Sequence, residues 1–177
     1  MGRSSKASTA RLYEVASQQQ GFFSTRQALA AGYADNVHPY HVHNGDWRRV
    51  MRGIYRLQRF PVTPYSELMV IWLWSQTRDG IAQAVFSHQT ALFLLGKQAW
   101  TDGPVQVTLP LEFRKKAGSL PLQRHTGTVP IEEKQEVTPF MVTTLERTRR
   151  DLGHSSTSKT LVDTLVPADV QISSTVS

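Results

Sequence analysis

The chain has 177 residues, enough for one ordinary domain or two small ones, and 40% of them are hydrophobic, including four Trp and seven Phe, so packed cores are expected rather than a disordered polymer. It has no cysteine, which excludes disulfides, thiolate metal sites and cysteine nucleophiles and points to a reducing cytoplasm. The net charge of +6 resides entirely in residues 1–60, where nine basic side chains stand against three acidic ones, while the remainder carries eleven of each and has no net field to attract a polyanion. Residues 1–9 are polar and basic without an apolar leader segment, and the longest apolar run, residues 68–74, falls far short of the roughly 18 residues needed to span a bilayer. A cytoplasmic protein without membrane contact is expected.

Leu12, Val15 and Ala16 recur at helical spacing and predict a helix over residues 9–20, stopped by Gly21. Phe22 and Phe23 read as a short extended anchor. Ser24 followed three residues later by Gln27 is a capping box that opens a second helix, residues 25–31, with Leu29 turned inward and Gly32 at its left-handed end. A third helical segment, residues 34–44, contains Pro39, which is tolerated in a first turn whose amides have no intrahelical partner. With Asn36 as its N-cap, Val37, Tyr40 and Val42 form the inner face, and His38, His41 and His43 lie outward or flanking. Residues 47–50 and 54–57 then read as two strands joined through Met51, Arg52 and Gly53.

Three helices followed by a basic hairpin make a winged helix-turn-helix, in which the third helix enters the major groove and the wing follows the flanking backbone. An arginine-rich hairpin is also compatible with a plain solvated face, but here the charge is concentrated, coincides with the helical pattern and has no local acids to balance it. The three histidines lack a neighbouring carboxylate or thiolate to complete a metal site. Trp47 and Tyr55 read as core anchors rather than stacking platforms for bases.

Beyond residue 60, Thr63 and Pro64 open a helix through Gln76 that is apolar nearly all round and therefore buried. Asp79 and Gly80 end that unit. Residues 84–86 read as a strand, Ser87 as the cap of a helix closed by Gly96, and residues 105–109 as a half-buried strand. Residues 122–125 and 140–143 are weaker strands, and Thr144 caps a helix ending near residues 152–153. The fold class expected is α+β: a winged helix-turn-helix over residues 1–60, a small mixed α+β domain over 61–153, and a Ser/Thr-rich tail over 154–177 with a marginal helix around Leu161, Val162, Leu165 and Val166.

Catalytic patterns are sparse. Glu132 and Lys134, with Asp102 as a distant second carboxylate, resemble a metal-dependent nuclease pattern, but Pro130 beside them favours a charged loop or strand edge. Ser87 and His88 suggest a hydrolase, yet adjacent helical residues do not face each other, and no Gly-rich phosphate loop or nucleophile elbow is present. The reading is of a protein that is not an enzyme and needs neither cofactor nor metal.

In order and spacing, Gly21-Phe22-Phe23-Ser24-Thr25-Arg26-Gln27-Ala28, Gly32, Trp47-Arg48-Arg49-Val50-Met51-Arg52-Gly53-Ile54-Tyr55, Ser87-His88-Gln89-Thr90-Ala91-Leu92 and Val142-Thr143-Thr144-Leu145-Glu146-Arg147-Thr148 to Asp151 resemble the AbiEi-type antitoxins of bacterial type IV toxin–antitoxin systems. The likeness runs through about residue 152. It implies a winged helix-turn-helix that represses its own operon by binding double-stranded promoter DNA, and an antitoxin domain that counters a nucleotidyltransferase-like toxin. By position it assigns DNA contact to Thr25, Arg26, the third-helix residues Asn36, His38, His41 and His43, and the wing residues Arg48, Arg49 and Arg52. Arg147 and Asp151, four apart on the last helix, read either as a partner-facing feature or, more simply, as a local salt bridge. Two other readings stay open: a stand-alone winged-helix transcription factor whose second domain dimerises or senses a ligand, and a nuclease guided by the winged helix. A palindromic operator implies a two-fold homodimer on DNA, which the sequence leaves undecided.

Overall fold

A computed structural model describes residues 3–63 and 65–154, and shows an α+β protein with a winged helix-turn-helix at its N-terminal end. The expected tail helix and Pro64, expected at the first position of a helix, lie outside the described residues. Helix α1 (Arg3–Ser17) starts six residues before the expected position. Leu12 and Ala16 bury its apolar stripe almost completely. The chain then reverses through Gln20 (φ 55°) and Gly21 (φ 85°) into β1 (Phe22–Ser24).

Gly21 is required there twice over. Its backbone is in the left-handed region, and a Cβ on it would lie 2.5 Å from Cβ and Cγ of Phe60. Gly21→Ala is expected to cost about 2 kcal/mol from strain and overpacking together. Urea unfolding followed by circular dichroism reads this, and an unchanged midpoint would refute the close approach.

Helix α2 (Thr25–Ala30) carries the expected capping box: the Gln27 amide donates to Ser24 Oγ at 3.3 Å, and the Ser24 amide to Gln27 Oε1 at 2.9 Å. Its inward residue is Ala28, fully buried, whereas Leu29 is 45% exposed, which corrects the expected orientation. A 3₁₀ turn at Asp35–Val37 leads into α3 (His38–His43). The N-cap of α3 is Val37 rather than Asn36, and it has no side-chain cap bond. Strands β2 (Trp47–Met51) and β3 (Ile54–Leu57) meet at a two-residue turn with Gly53 at φ 76°, and β1 joins them in an antiparallel sheet of order β1-β3-β2.

Helix α4 (Tyr65–Ser75) is apolar on nearly every side and sits between the two sheets. Phe22 and Ile54 of the winged part join its core, together with Phe86, Val105, Val107 and Leu109 from the second sheet. Lys115 closes the C-terminal end of α4 by donating to the carbonyls of Trp74 and Gln76.

The second sheet has the order β6-β5-β4-β8-β7, built from β4 (Val85–Phe86), β5 (Val105–Leu109), β6 (Leu122–Thr126), β7 (Lys134–Val137) and β8 (Phe140–Thr143). β5 pairs antiparallel with β4 and parallel with β6, and β8 pairs parallel with β4 and antiparallel with β7. The face of β5 expected to be solvated is covered as well: Thr108 is buried, and α5 (His88–Leu94) is tied to it by the Gln89 amide donating to Gln106 Oε1. Ser87 stands at the head of α5 but makes no cap bond, contrary to expectation. Its hydroxyl instead accepts from Thr108 Oγ1 at 3.1 Å and lies 3.0 Å from His88 Nδ1.

Helix α6 (Leu145–His154) is capped by Thr144, whose hydroxyl accepts from the Arg147 amide at 3.3 Å. Arg147 donates to Asp151 at 2.7 Å, the local salt bridge expected, and also to Glu133. Arg150 holds the other oxygen of Glu133 at 2.8 Å. These arginines pull the Glu133 carboxyl below its ordinary range, mainly through their hydrogen bonds.

Candidate nucleic-acid interface

Trp47 organises the winged part. It is 3% exposed, and the rings of Phe23, Tyr33, His38, His41 and Tyr55 surround it with centroids 4.7–5.7 Å away. His41 stacks on the indole at 4.7 Å and 22°, and its Nδ1 reaches Asp46 at 3.1 Å. His38 is 2% exposed between Trp47 and Tyr55, with Nδ1 3.6 Å from Asp35. Burial lowers its pKa, against a raising effect of Asp35 and with a smaller lowering effect of His41.

The inner face of α3 is therefore His38, His41 and Val42, and the expected orientation is corrected. Tyr40, expected inside, is 62% exposed. His38, expected outside or flanking, has no free edge to present to a base. The 3₁₀ turn explains the change: three residues per turn instead of 3.6 alter the phase at which α3 begins. A neutral imidazole then serves as an aromatic packing unit against Trp47.

Outward from this hub, α3 presents Pro39, Tyr40 and His43, with Asn36 exposed on the turn that precedes it. Thr25, at the start of α2, is joined to the wing tip: its amide donates to the Gly53 carbonyl at 2.9 Å, with its hydroxyl at 3.5 Å from the same oxygen. That bond fixes the helix-turn-helix against the wing.

The hairpin sorts its arginines by face. Arg49 pairs with Tyr55, in register with the aromatic hub, but also borders the depression between the hairpin and α4, and Arg52 is exposed in the two-residue turn. Arg48 pairs with Arg56, which in turn pairs with Phe22, on the opposite side toward α4. Arg26 is exposed, but its guanidinium lies against Gly80 so closely that a Cβ there would be 1.8 Å from Nη2. Of the nine residues assigned by position, Thr25 opens α2, Asn36 and His43 are exposed before and at the end of α3, and Arg49 and Arg52 are exposed on the wing. His38 is buried, His41 is half-buried against Trp47, Arg26 rests on the turn after α4, and Arg48 faces away. Tyr40 escapes a reading of the sequence because an aromatic residue at helical spacing reads as core.

Other patterns do not converge into a site of their own. Glu133 is held by Arg147 and Arg150, Glu132 is exposed, and Asp102 lines a separate depression with Gln89 and Trp100. Among the described residues no three His, Cys, Asp or Glu side chains form a group suited to a metal ion, and no helix is long and apolar enough to cross a membrane.

No curated protein matches the chain. Residues 10–58, from within α1 to just past β3, match the family of transcriptional regulators described as AbiEi antitoxin, so the likeness read from the sequence holds over the winged helix-turn-helix.

Proposed function

We propose that the chain is a DNA-binding autorepressor, with α3 in the major groove of its own promoter and the β2–β3 wing on the flanking phosphates. The supporting observation is the division of α3 into two faces. His38 and His41 lock one face onto Trp47, which leaves Tyr40 and His43 exposed on α3, while Arg49 and Arg52 are exposed on the wing. A helix fixed so rigidly from behind presents its outer side chains at little entropic cost. Arg49 and Arg52 grip phosphates, and Tyr40, His43 and Asn36 meet base edges or sugar. Thr25, at the head of α2, reaches the backbone beside the wing. The role requires no catalysis and no cofactor.

We further read the protein as the antitoxin of a type IV pair that opposes a nucleotidyltransferase-like toxin, a reading supported by the family match over residues 10–58. Co-expression with the product of the adjacent gene tests it: rescue of growth supports the pairing, and toxicity that persists beside folded protein removes it. A reporter driven by the chain's own upstream region tests the repressor role separately. Wild type is expected to lower its expression, and Tyr40→Ala with His43→Ala is expected to weaken repression about tenfold, the effect of removing one or two side chains that read bases. Equal repression by the double variant would remove α3 as the reading helix.

A further inference from the structure

The hairpin, α4 and residues 119–121 border an open depression of about 330 Å³. Its walls are mostly apolar, formed by Phe22, Val62, Val70, Leu120 and Pro121. Its size is at the lower end of small-molecule sites, which run to roughly 300–1,000 Å³.

Three arginines line it: Arg48, Arg49 and Arg56. Arg48 and Arg56 stand directly opposite each other on β2 and β3, an arrangement that is unfavourable for like charges unless something neutralises them. Arg56 is only 7% exposed. It lies over the Phe22 ring at 5.3 Å, donates to the neutral carbonyl of Phe60, and has no acceptor for Nε among the described residues. Burial and the Arg48 charge both lower its pKa. Among the described residues the Arg48 side chain makes no hydrogen bond or ion pair, and Glu67, the one acid on the rim, is exposed and pairs with none of these arginines. A buried cation without a counter-ion is costly, and a fold that retains one next to a second cation invites an anion.

We propose that this depression binds a small organic anion, a carboxylate carried on a compact apolar body. The carboxylate sits against the guanidinium of Arg48 within the field of Arg56, where the planar fork of arginine matches its two oxygens. The apolar body lies along Phe22, Val70 and Leu120. An inorganic ion leaves the apolar walls unused, and a neutral apolar compound leaves the arginines uncompensated. Both features together define the ligand class.

The experiment titrates the full chain with 1-naphthoate, followed by the fluorescence anisotropy of the ligand, beside 1-naphthalenemethanol and acetate as body-only and charge-only probes. Saturable one-site binding of naphthoate is expected, at least about tenfold tighter than either control and about tenfold weaker in Arg48→Gln. Arg48 is exposed, so its replacement leaves the core intact, and circular dichroism checks this. Equal binding of the alcohol, undiminished binding in Arg48→Gln, or no saturable binding at millimolar naphthoate would each overturn the proposal. Because this titration contains no DNA, its failure leaves the repressor reading untouched.

Discussion

Replacing Trp47 with alanine is expected to destabilise the protein by about 4 kcal/mol, the range for an aromatic residue removed from a closed core. Trp47 is 3% exposed and touches five rings from four segments of the chain, so no single neighbour can move to fill the space. Tertiary contact rather than propensity holds α3, which is six residues long, far below the roughly 12 needed for a helix to persist alone. With the indole gone, His38 and His41 lose the surface they pack against, and α3 is expected to fray. Urea unfolding followed by far-ultraviolet circular dichroism measures the loss. A change below about 1 kcal/mol would mean that the hub is not the keystone of the winged part.

Acidification is the second large effect. His88 heads α5 with φ 53°, is 7% exposed, and stacks on His125 at 3.7 Å. Burial, with help from His125 on β6, pushes its pKa down to about 4; Asp151 on α6 opposes the shift, and Arg147 on the same helix adds slightly to it. Above pH 6.5 the ring is neutral in both folded and unfolded chains and makes no contribution to pH dependence. As the pH falls from 6.5 toward 4, the unfolded chain takes up a proton that the folded one refuses, so stability declines. The full span costs about 3 kcal/mol. His38 and His125, whose pKa values burial also lowers, act in the same direction. Glu133 loses its favourable pairing only at lower pH, within the carboxylate range, so the two windows are separable. Thermal melting between about pH 7 and pH 4.5 should therefore show a falling midpoint, and His88→Asn, which tolerates a left-handed backbone, should flatten it. An identical slope in that variant would assign the acid sensitivity elsewhere.

The elements of the winged part are legible in the sequence where local chemistry decides structure. The Ser24–Gln27 capping box, the tight turn with Gly53 at positive φ and the apolar α4 all follow from rules that act within a few residues. Orientation is less legible. Leu29 and Tyr40 look like core residues by composition, yet Ala28 and His38 fill the inward positions, because tight packing beside β1 and the phase of the 3₁₀ turn are set by the rest of the fold. β7 is legible only as the charged loop or strand edge expected around Glu132 and Lys134, because Lys134, Gln135 and Glu136 form a polar edge strand whose pairing with β8 leaves no apolar alternation to read.

The candidate interface divides in the same way. Concentrated positive charge identifies the wing, but only register sets Arg48 directly opposite Arg56. Nor does any spacing in the sequence place Arg26 against Gly80, far along the chain.

If α3 and the wing arginines Arg49 and Arg52 grip duplex DNA, the most direct test is a fluorescence-anisotropy titration of the protein against its own upstream DNA and a scrambled duplex at several salt concentrations, with Arg49→Ala/Arg52→Ala alongside. The expected result is preference for the native duplex, with a salt slope shallower by about two in the double variant, one for each phosphate that an arginine no longer neutralises. Failure of both duplexes to bind at low salt, or an unchanged slope in the variant, would contradict it.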